Sequence, residues 1–284
     1  MTFVPDGGAW LDPRVLFPAS GPDGWDAHFT YLAPDGRFPV SIGSFLIQAP
    51  GRTILVDLGL GAVDFSVPDL ASFRGGQLLE SLGAEGLTPS QVDTVFFTHL
   101  HHDHVGWTSN VAPAPGVEPG GRVSGLTFDG ARHVVAEAEW EYWRGTDELI
   151  GPSPTAVQEP LAARLEFAGD GEELAPGVRL LATPGHTPGH SSLVVTDPTG
   201  VSDERLVILG DVMHCQVQVE QSAWSFRFDV DGAQGVRTRE QLLKELEDPH
   251  TILAGGHFAG EVFGRVLPAT LRRSWKARRV LRLP

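Results

Sequence analysis

The sequence predicts an α/β fold in which two mostly antiparallel or mixed β-sheets pack together between outer layers of helices. Short apolar runs rich in β-branched residues alternate with helical stretches, and 34 glycines and 22 prolines punctuate them. Both halves of the chain contain paired strands with helices outside them, and no stretch has the length of a linker. We therefore expect a single domain over residues 1–284, with a core at about 40–260.

The first predicted element is a hairpin. Apolar runs at 40–49 and 52–59 flank Pro50 and Gly51, a pair that is typical of a tight turn between two strands.

A helix and a buried strand follow the hairpin. The helix at 77–83 ends at Gly83, since glycine commonly ends helices. Thr88 and Pro89 open a short helix that leads into a strand at 94–99.

The rest of the chain continues this alternation after a Pro/Gly-rich stretch at 110–125, which we expect to be an irregular surface excursion. The remaining helices are predicted at 136–143, 155–167 and 238–248. The remaining strands are predicted at 178–185, 191–197, 205–211 and 251–257.

Composition limits the class of protein. Hydrophobic residues make up 41% of the chain, enough for a sizeable core, and no apolar run has the length of a membrane span. The N-terminus lacks the pattern of a secretory signal, and the single cysteine, Cys215, fits a reducing compartment. We therefore expect a cytoplasmic protein without a membrane partner. The net charge of −15 argues against nucleic acid as a general partner.

One basic segment departs from this acidic composition. The tail at 272–284 holds six arginine and lysine residues and no acid. We expect it to pair with the acidic body of the protein. A contact with nucleic acid or anionic lipid is the alternative.

The densest polar cluster is FTHLHHDHVGW at 97–107, which contains His99, His101, His102, Asp103 and His104. It begins where a buried strand is predicted to end.

Three further polar residues occupy the same kind of position. His186, Asp211 and His257 each lie just beyond the carboxyl end of an apolar strand. Strand ends in a sandwich of sheets meet at one edge, so we expect these loops to converge in one cleft. Imidazole and carboxylate ligands without cysteine suit zinc, with iron or manganese as alternatives.

The whole pattern resembles that of the metallo-β-lactamase superfamily, over roughly residues 40–260. The resemblance implies an αββα sandwich, which agrees with the predicted elements, and a site for two divalent metal ions. By the same resemblance, His99, His101 and His186 bind one ion, Asp103, His104 and His257 bind the other, and Asp211 bridges the two.

Other polar residues are expected to support the ligands. Asp57, His190 and His214 are predicted to orient them through hydrogen bonds. His102 lies at a variable position of the motif, and we expect it to bind no metal.

The predicted chemistry is hydrolysis. Two ions about 3.5–4 Å apart share a water and lower its pKa, which gives a hydroxide nucleophile at neutral pH. Asp103 and Asp211 are the candidate catalytic residues, because they would hold this hydroxide and shuttle its proton. The Gly-x-Ser-x-Gly motif of serine hydrolases is missing from the sequence.

The sequence is compatible with cleavage of three kinds of bond: an ester, a lactone or a phosphotriester. Acyl-homoserine lactonases resemble this chain in the motif and in TPGHTPGH at 183–190, but carry tyrosine where this chain has His214. His214, followed by FRFDVD at 226–231, resembles the methyl parathion hydrolase branch, whose members cleave aryl phosphotriesters. A thioesterase of the glyoxalase II type and a metal-binding module without catalysis are the alternatives. The thioesterase predicts a basic patch, and little basic sequence lies near the motif.

Aromatic residues suggest the walls of an apolar pocket for an uncharged small molecule. Two of them adjoin predicted ligands, and the others lie in segments near the presumed mouth. The predicted pocket residues are Phe65, Trp107, Trp140, Trp143, Trp224 and Phe258. The loops at 110–125 and 144–160 are candidates for lids or for a homodimer contact.

Overall fold

The computed structural model describes residues 1–111, 122–268 and 272–278, and within them the strands form two sheets. The first sheet contains β1 (Thr2–Leu11), β2 (Phe38–Ala49), β3 (Arg52–Val56), β4 (Asp64–Val67), β5 (Ala71–Arg74), β6 (Thr94–Phe96), β7 (Arg132–Val135) and β8 (Leu165–Phe167). The second contains β9 (Glu173–Ala175), β10 (Val178–Ala182), β11 (Ser191–Thr196), β12 (Arg205–Ile208), β13 (Thr251–Ala254), β14 (Phe263–Leu267) and β15 (Ser274–Ala277).

Both sheets are mixed, as predicted. The first has the strand order β4-β5-β1-β2-β3-β6-β7-β8, and the second has the order β15-β14-β13-β12-β11-β10-β9. The pairs β3/β6, β6/β7, β7/β8 and β12/β13 are parallel, and the other neighbouring pairs are antiparallel.

The central strands are apolar on both faces because each face meets a different core. In β3, Ile54 and Val56 pack between the sheets, whereas Leu55 packs against the helices outside. In β12, Ile208 lies between the sheets and Val207 lies outside. This alternation follows from the two-residue period of a strand. Residues buried on both faces explain why these strands are continuous hydrophobic runs.

Helices cover the outer faces and complete the αββα sandwich, which confirms the predicted fold class. Side chains of α2 and α3 join the outer core of the first sheet, and those of α6 join the outer core of the second. The α-helices are α1 (Pro13–Leu16), α2 (Leu78–Ala84), α3 (Glu137–Trp143), α4 (Glu159–Ala162), α5 (Val217–Glu220) and α6 (Gly232–Leu246). No helix in the described ranges is long and apolar enough to cross a membrane.

The predicted hairpin is confirmed, since β2 and β3 pair antiparallel around Gly51, whose φ of +70° suits glycine. The short helix after Thr88 is also present, as a 3-10 turn at Pro89–Gln91.

The predicted helix at 155–167 is wrong in its second half. The chain forms a π-helical turn at Pro154–Gln158, continues as α4 only to Ala162, and then enters β8. Since β8 pairs in parallel with β7 at the edge of the first sheet, this tertiary pairing outweighs the local preference for helix.

The sheets extend beyond the predicted core of 40–260. β1 lies inside the first sheet, between β5 and β2, although it contains Pro5, Gly7 and Gly8. A shift in register between Pro5 and Gly7 accommodates them, as a β-bulge does. At the other end, β14 and β15 add two strands to the second sheet.

The basic tail packs on the body of the protein. Arg273 forms ion pairs with Glu240 and Glu247, and Arg272 lies 3.4 Å from Glu220. The predicted docking is therefore confirmed for residues 272–278. The rest of the tail and most of the 110–125 stretch lie outside the described residues.

Candidate metal centre

Each predicted ligand follows a strand end. β6 ends at Phe96, before the 99–104 motif, and β10 ends at Ala182, before His186. β12 and β13 end shortly before Asp211 and His257. Because β3 pairs in parallel with β6, and β12 with β13, the loops after these strands emerge at matching edges of the two sheets.

All seven predicted ligands come together at this edge. Two groups form, and within each the candidate ligand atoms lie within 4.8 Å of one another. The first group is His99, His101, His186 and Asp211, and the second is Asp103, His104 and His257.

The spacing within each group fits one ion. His186 Nε2 lies 2.9 Å from His101 Nδ1, and His104 Nε2 lies 3.2 Å from His257 Nε2. A tetrahedral ion with bonds of about 2.0–2.1 Å holds its ligands roughly 3.3 Å apart. Each pair of nitrogens can therefore share a single ion.

Asp211 lies between the groups. Its Oδ2 is 3.4 Å from His186 Nε2 and 3.3 Å from His257 Nε2, and its Oδ1 is 3.3 Å from His104 Nε2. One carboxylate thus faces ligands of both groups, which is the arrangement that a bridging role requires.

Unpartnered atoms also fit bound metal. His99 Nε2 and Asp211 Oδ1 are buried without a hydrogen-bond partner among the described residues. Such atoms cost about 1–3 kcal/mol each unless something satisfies them. A divalent ion in each group would satisfy both atoms, and the all-nitrogen-and-oxygen donor set suits zinc.

The two groups differ in their protonation. Burial lowers the pKa of His99 and His101 well below the usual value, so both are neutral at neutral pH. Burial acts the same way on His257 and His104, but the nearby carboxylates together outweigh it: Asp211 and Asp103 act on both histidines, and Asp57 acts on His104 as well. The pKa of His257 is raised to about 9, and that of His104 well above 6.5. Metal binding to the second group must therefore displace protons.

Asp57 supports His104, as predicted. Its Oδ2 accepts a hydrogen bond from His104 Nδ1 at 2.9 Å, and its Oδ1 accepts one from the backbone N–H of Thr98 at 2.8 Å. The φ of Asp57 is +61°, which is strained for a residue other than glycine. The hydroxyl of Ser44 stabilises this conformation by donating to the Asp57 carbonyl.

His190 supports the backbone of Asp211. Its Nε2 accepts a hydrogen bond from the Asp211 N–H at 2.8 Å, and its Nδ1 lies 2.9 Å from the Thr183 hydroxyl. Burial lowers the pKa of His190 to about 3, so its Nε2 keeps the lone pair that this bond needs.

Two acidic residues that support the ligands are not predicted from the sequence. Asp229 accepts hydrogen bonds from His186 Nδ1 and from the Phe226 N–H, both at 2.8 Å. Glu139 is buried in α3 and contacts both loops of the first group. Nothing in the sequence separates Asp229 from Asp231, which caps α6.

A cavity of about 70 Å³ opens over both groups. Its polar side is formed by predicted ligands, together with His102 and His214. Its apolar side is formed by Leu11, Leu16, Val40, Leu70, Ala71, Phe73, Ile150, Phe226 and Phe228. No lysine or arginine of the described residues lines it.

His214, which the sequence predicts to orient the ligands through hydrogen bonds, lines the cavity. Its Nε2 is 3.2 Å from Asp211 Oδ2, and its ring stacks on Phe226 with centroids 3.7 Å apart. Burial lowers its pKa to about 4. His102 also lines the cavity, contacts the ring of Phe73, and belongs to neither ligand group.

The six predicted pocket aromatics lie elsewhere, so that prediction is wrong for this cavity. Trp107 donates its indole N–H to Asp6, and Phe258 packs against Trp275. Phe65 stacks behind Phe73. Trp140, Trp143 and Trp224 are buried in the hydrophobic cores. Closeness to a ligand along the chain does not fix the direction in which a side chain points.

The fold and the site together define a class of proteins: αββα sandwiches that hold two metal ions at their strand ends. A family model described as the metallo-beta-lactamase superfamily matches residues 37–257, and the chain belongs to this superfamily.

Similar sequences include an N-acyl homoserine lactonase from Bacillus sp., 28% identical over 185 residues that make up 60% of this chain and 64% of the lactonase. The Beta-lactamase-like protein 2 homolog of Drosophila melanogaster is 29% identical over 59% of this chain and 47% of its own length. The chain thus spans less than two thirds of the length of these relatives.

Solved structures agree on the fold. AidC, a dizinc quorum-quenching lactonase in complex with a product, superimposes with a TM-score of 0.79 at 20% identity over 98% of this chain and 93% of that one. The hydrolase AbOPH of the beta lactamase superfamily superimposes with a TM-score of 0.78 at 25% identity, over 98% of this chain and 94% of AbOPH.

Proposed function

We propose that this protein is a two-metal hydrolase that opens the lactone ring of an uncharged substrate with an apolar acyl chain, of the N-acyl homoserine lactone type. The observation that carries the proposal is the cavity, which places apolar walls opposite the two ligand groups. Relatives that are N-acyl homoserine lactonases support it.

The cavity selects against highly charged substrates. Its described lining contains two carboxylates, Asp103 and Asp211, and no cationic side chain. A glutathione or coenzyme A thioester carries carboxylates or phosphates away from its scissile bond, and these groups would find no arginine or lysine partner in the described lining. An acyl chain would instead bury its methylenes against the apolar side, at about 0.8 kcal/mol each.

The proposed chemistry divides roles among residues of the chain. Two divalent ions, if held by the two ligand groups, would supply a water acidic enough to act as nucleophile at neutral pH. Both Asp103 and Asp211 line the cavity, and Asp103 is the proton carrier because its side chain is the more exposed of the two. It takes the proton of the attacking water and returns it to the alkoxide oxygen that leaves as the ring opens. His214 would donate a hydrogen bond to the substrate carbonyl oxygen.

The test is a comparison of initial rates for acyl homoserine lactones from butanoyl to dodecanoyl, an aryl carboxylate ester and an aryl phosphotriester. Zinc-loaded and chelator-treated protein should be compared for each substrate. We expect chelator-sensitive lactone opening whose kcat/KM rises about tenfold for each two carbons until the cavity is filled.

A matched pair of variants tests the walls. Phe226→Ala should reduce the dependence on chain length, whereas Phe29→Ala, which removes an exposed ring that does not line the cavity, should not. Preference for the phosphotriester would move the assignment to that class of bond. Absence of turnover of every substrate would overturn the proposal.

A further inference from the structure

A buried carboxylate holds the loop of the first ligand motif. Glu139 in α3 is fully buried, and its Oε1 accepts a hydrogen bond from the Leu100 N–H at 3.0 Å. Leu100 lies between His99 and His101, which are two ligands of the first group. This bond therefore fixes the backbone from which both imidazoles project.

The same carboxylate holds the loop that carries the third histidine of that group. Oε2 of Glu139 accepts hydrogen bonds from the Gly189 N–H at 3.2 Å and from the Thr187 hydroxyl, directly after His186. α3 also packs closely on this loop, since a Cβ on Gly189 would lie 2.1 Å from the Glu139 nitrogen. Two loops from different sheets thus meet on one side chain.

Trp143 links the Glu139 carboxylate to the imidazole of His101. Its Nε1 donates to Glu139 Oε1 at 2.8 Å, and its ring packs edge to face on His101 at 5.5 Å between centroids. His104 and His186 are each oriented by a carboxylate, but His101 Nε2 is buried without a hydrogen-bond partner among the described residues. The contact that orients the His101 ring from this side is its packing against Trp143.

The second group is supported by different residues. His104 is held by Asp57, and His257 Nδ1 donates to the Ser41 carbonyl at 2.9 Å. The hydrogen bonds of Glu139 go to its own helix, to the part of the 99–104 motif that lies between His99 and His101, and to the loop directly after His186. The two groups therefore have separate supports, although Asp211 touches both.

We propose that Glu139 is a positioning residue that sets the metal affinity of the first ligand group and leaves that of the second group nearly unchanged. Four donors converge on an acceptor that only a carboxylate can supply. A glutamine here keeps the shape but turns an N–H group toward two of these donors. The proposal concerns metal binding alone, so it stands or fails independently of the substrate.

The experiment measures the zinc affinity of each group by competition with a chromophoric chelator. The His257→Ala protein leaves the first group as the complete set, and the His186→Ala protein leaves the second. Glu139→Gln should weaken binding about 10- to 100-fold in the first background. In the second background it should change binding less than about threefold.

The control is Glu141→Gln, which changes an exposed residue of the same helix that pairs with Arg144. It should leave both affinities as in the parent proteins. Equal losses in the two backgrounds, or no loss in the first, would overturn the proposal.

Milder variants keep the test decisive if Glu139→Gln does not fold. Thr187→Val removes one donor, and Trp143→Phe removes another while it keeps an aromatic ring next to His101. Each should weaken zinc binding several-fold in the first background only, with metal-free melting temperatures near those of the parent. If zinc affinity fell by the same factor in the second background, these residues would have a general structural role instead.

Discussion

Asp211 is the side chain on which both ligand groups depend, because its two oxygens face histidines of both. Replacing Asp211 with Ala should lower the bound metal and reduce turnover to the level of chelator-treated protein. Elemental analysis and initial rates measure the two effects. Full activity in this variant would contradict the two-metal site.

The matched variant is His102→Ala, which lies within the motif but in neither group. Its metal content should stay near that of the unmodified protein. Its KM for an apolar substrate should change, because His102 lines the cavity. A large loss of metal would show that the ligands are assigned wrongly.

His133 makes the fold sensitive to acid. It is fully buried in β7 beside Phe97, and burial, helped by Arg164, lowers its pKa from 6.5 to about 4. Between these pH values the unfolded chain binds a proton that the folded chain does not, so stability falls as the pH falls through this window. The contribution is about 3 kcal/mol.

His133→Phe should remove this part of the pH dependence. Denaturant unfolding of metal-free protein at several pH values between 7 and 4 measures the free energy of unfolding. Between these pH values we expect the unfolding free energy of the variant to fall by about 3 kcal/mol less than that of the unmodified protein. His250→Ala, at an exposed position, should follow the unmodified protein. Identical curves for His133→Phe and the unmodified protein would contradict the interpretation.

At the scale of elements, α6 holds the segment between α5 and itself over the site. Arg239 in α6 is buried and donates to the carbonyls of Val212, Ser222 and Trp224. Arg239→Met keeps the aliphatic stem but leaves these carbonyls without that donor. We expect a loss of about 3 kcal/mol in unfolding free energy.

The control on the same helix is Arg237→Met, whose side chain is exposed and bonds to Gln234. Its unfolding free energy should stay within about 0.5 kcal/mol of the unmodified protein. Arg239→Met should also raise KM, because the held segment carries Phe226 and Phe228. A loss of stability without a change in KM would limit Arg239 to a purely structural role.

Elements that carry a regular pattern could be predicted from the sequence. β6, β10, β12 and β13 are short apolar runs, and the predicted ligands follow them along the chain. The metal groups could therefore be predicted together with these strands. β1 could not, because Pro5, Gly7 and Gly8 hide its pattern. β8 could not either, since only pairing with β7 makes it a strand.

The cavity could not be predicted for a related reason. Its apolar walls come from residues 11–16, Val40 in β2, residues 70–73, Ile150 and residues 226–228, and these five stretches are far apart along the chain. Trp107 and Phe258 adjoin ligands in sequence but point into the cores. Proximity in sequence indicates which loop a residue shares, but not which side of the loop it occupies.

At the scale of the molecule, metal ions bound by the two ligand groups would join the two sheets. The 99–104 motif follows a strand of the first sheet, and the other three ligands follow strands of the second. Bound metal should therefore stabilise the folded chain over the unfolded one, by about 2.7 kcal/mol per site at a free metal concentration of 100 times Kd.

Chelation should accordingly lower the melting temperature by several degrees, and readdition of zinc should restore it. Differential scanning calorimetry measures the shift. Asp211→Ala should show little further change on chelation, because it holds less metal from the start. If chelator left the melting temperature of the unmodified protein unchanged, bound metal would not be joining the two sheets.

The origin of the cavity walls has a consequence for how such a protein changes over time. The ligands sit at the ends of buried strands, whereas the walls come from the N-terminal strand, a short edge hairpin and a segment held by one arginine. Substitutions in the walls should therefore change which substrate is accepted while the metal ligands stay in place, since reactivity and selectivity are encoded in separable stretches of the gene.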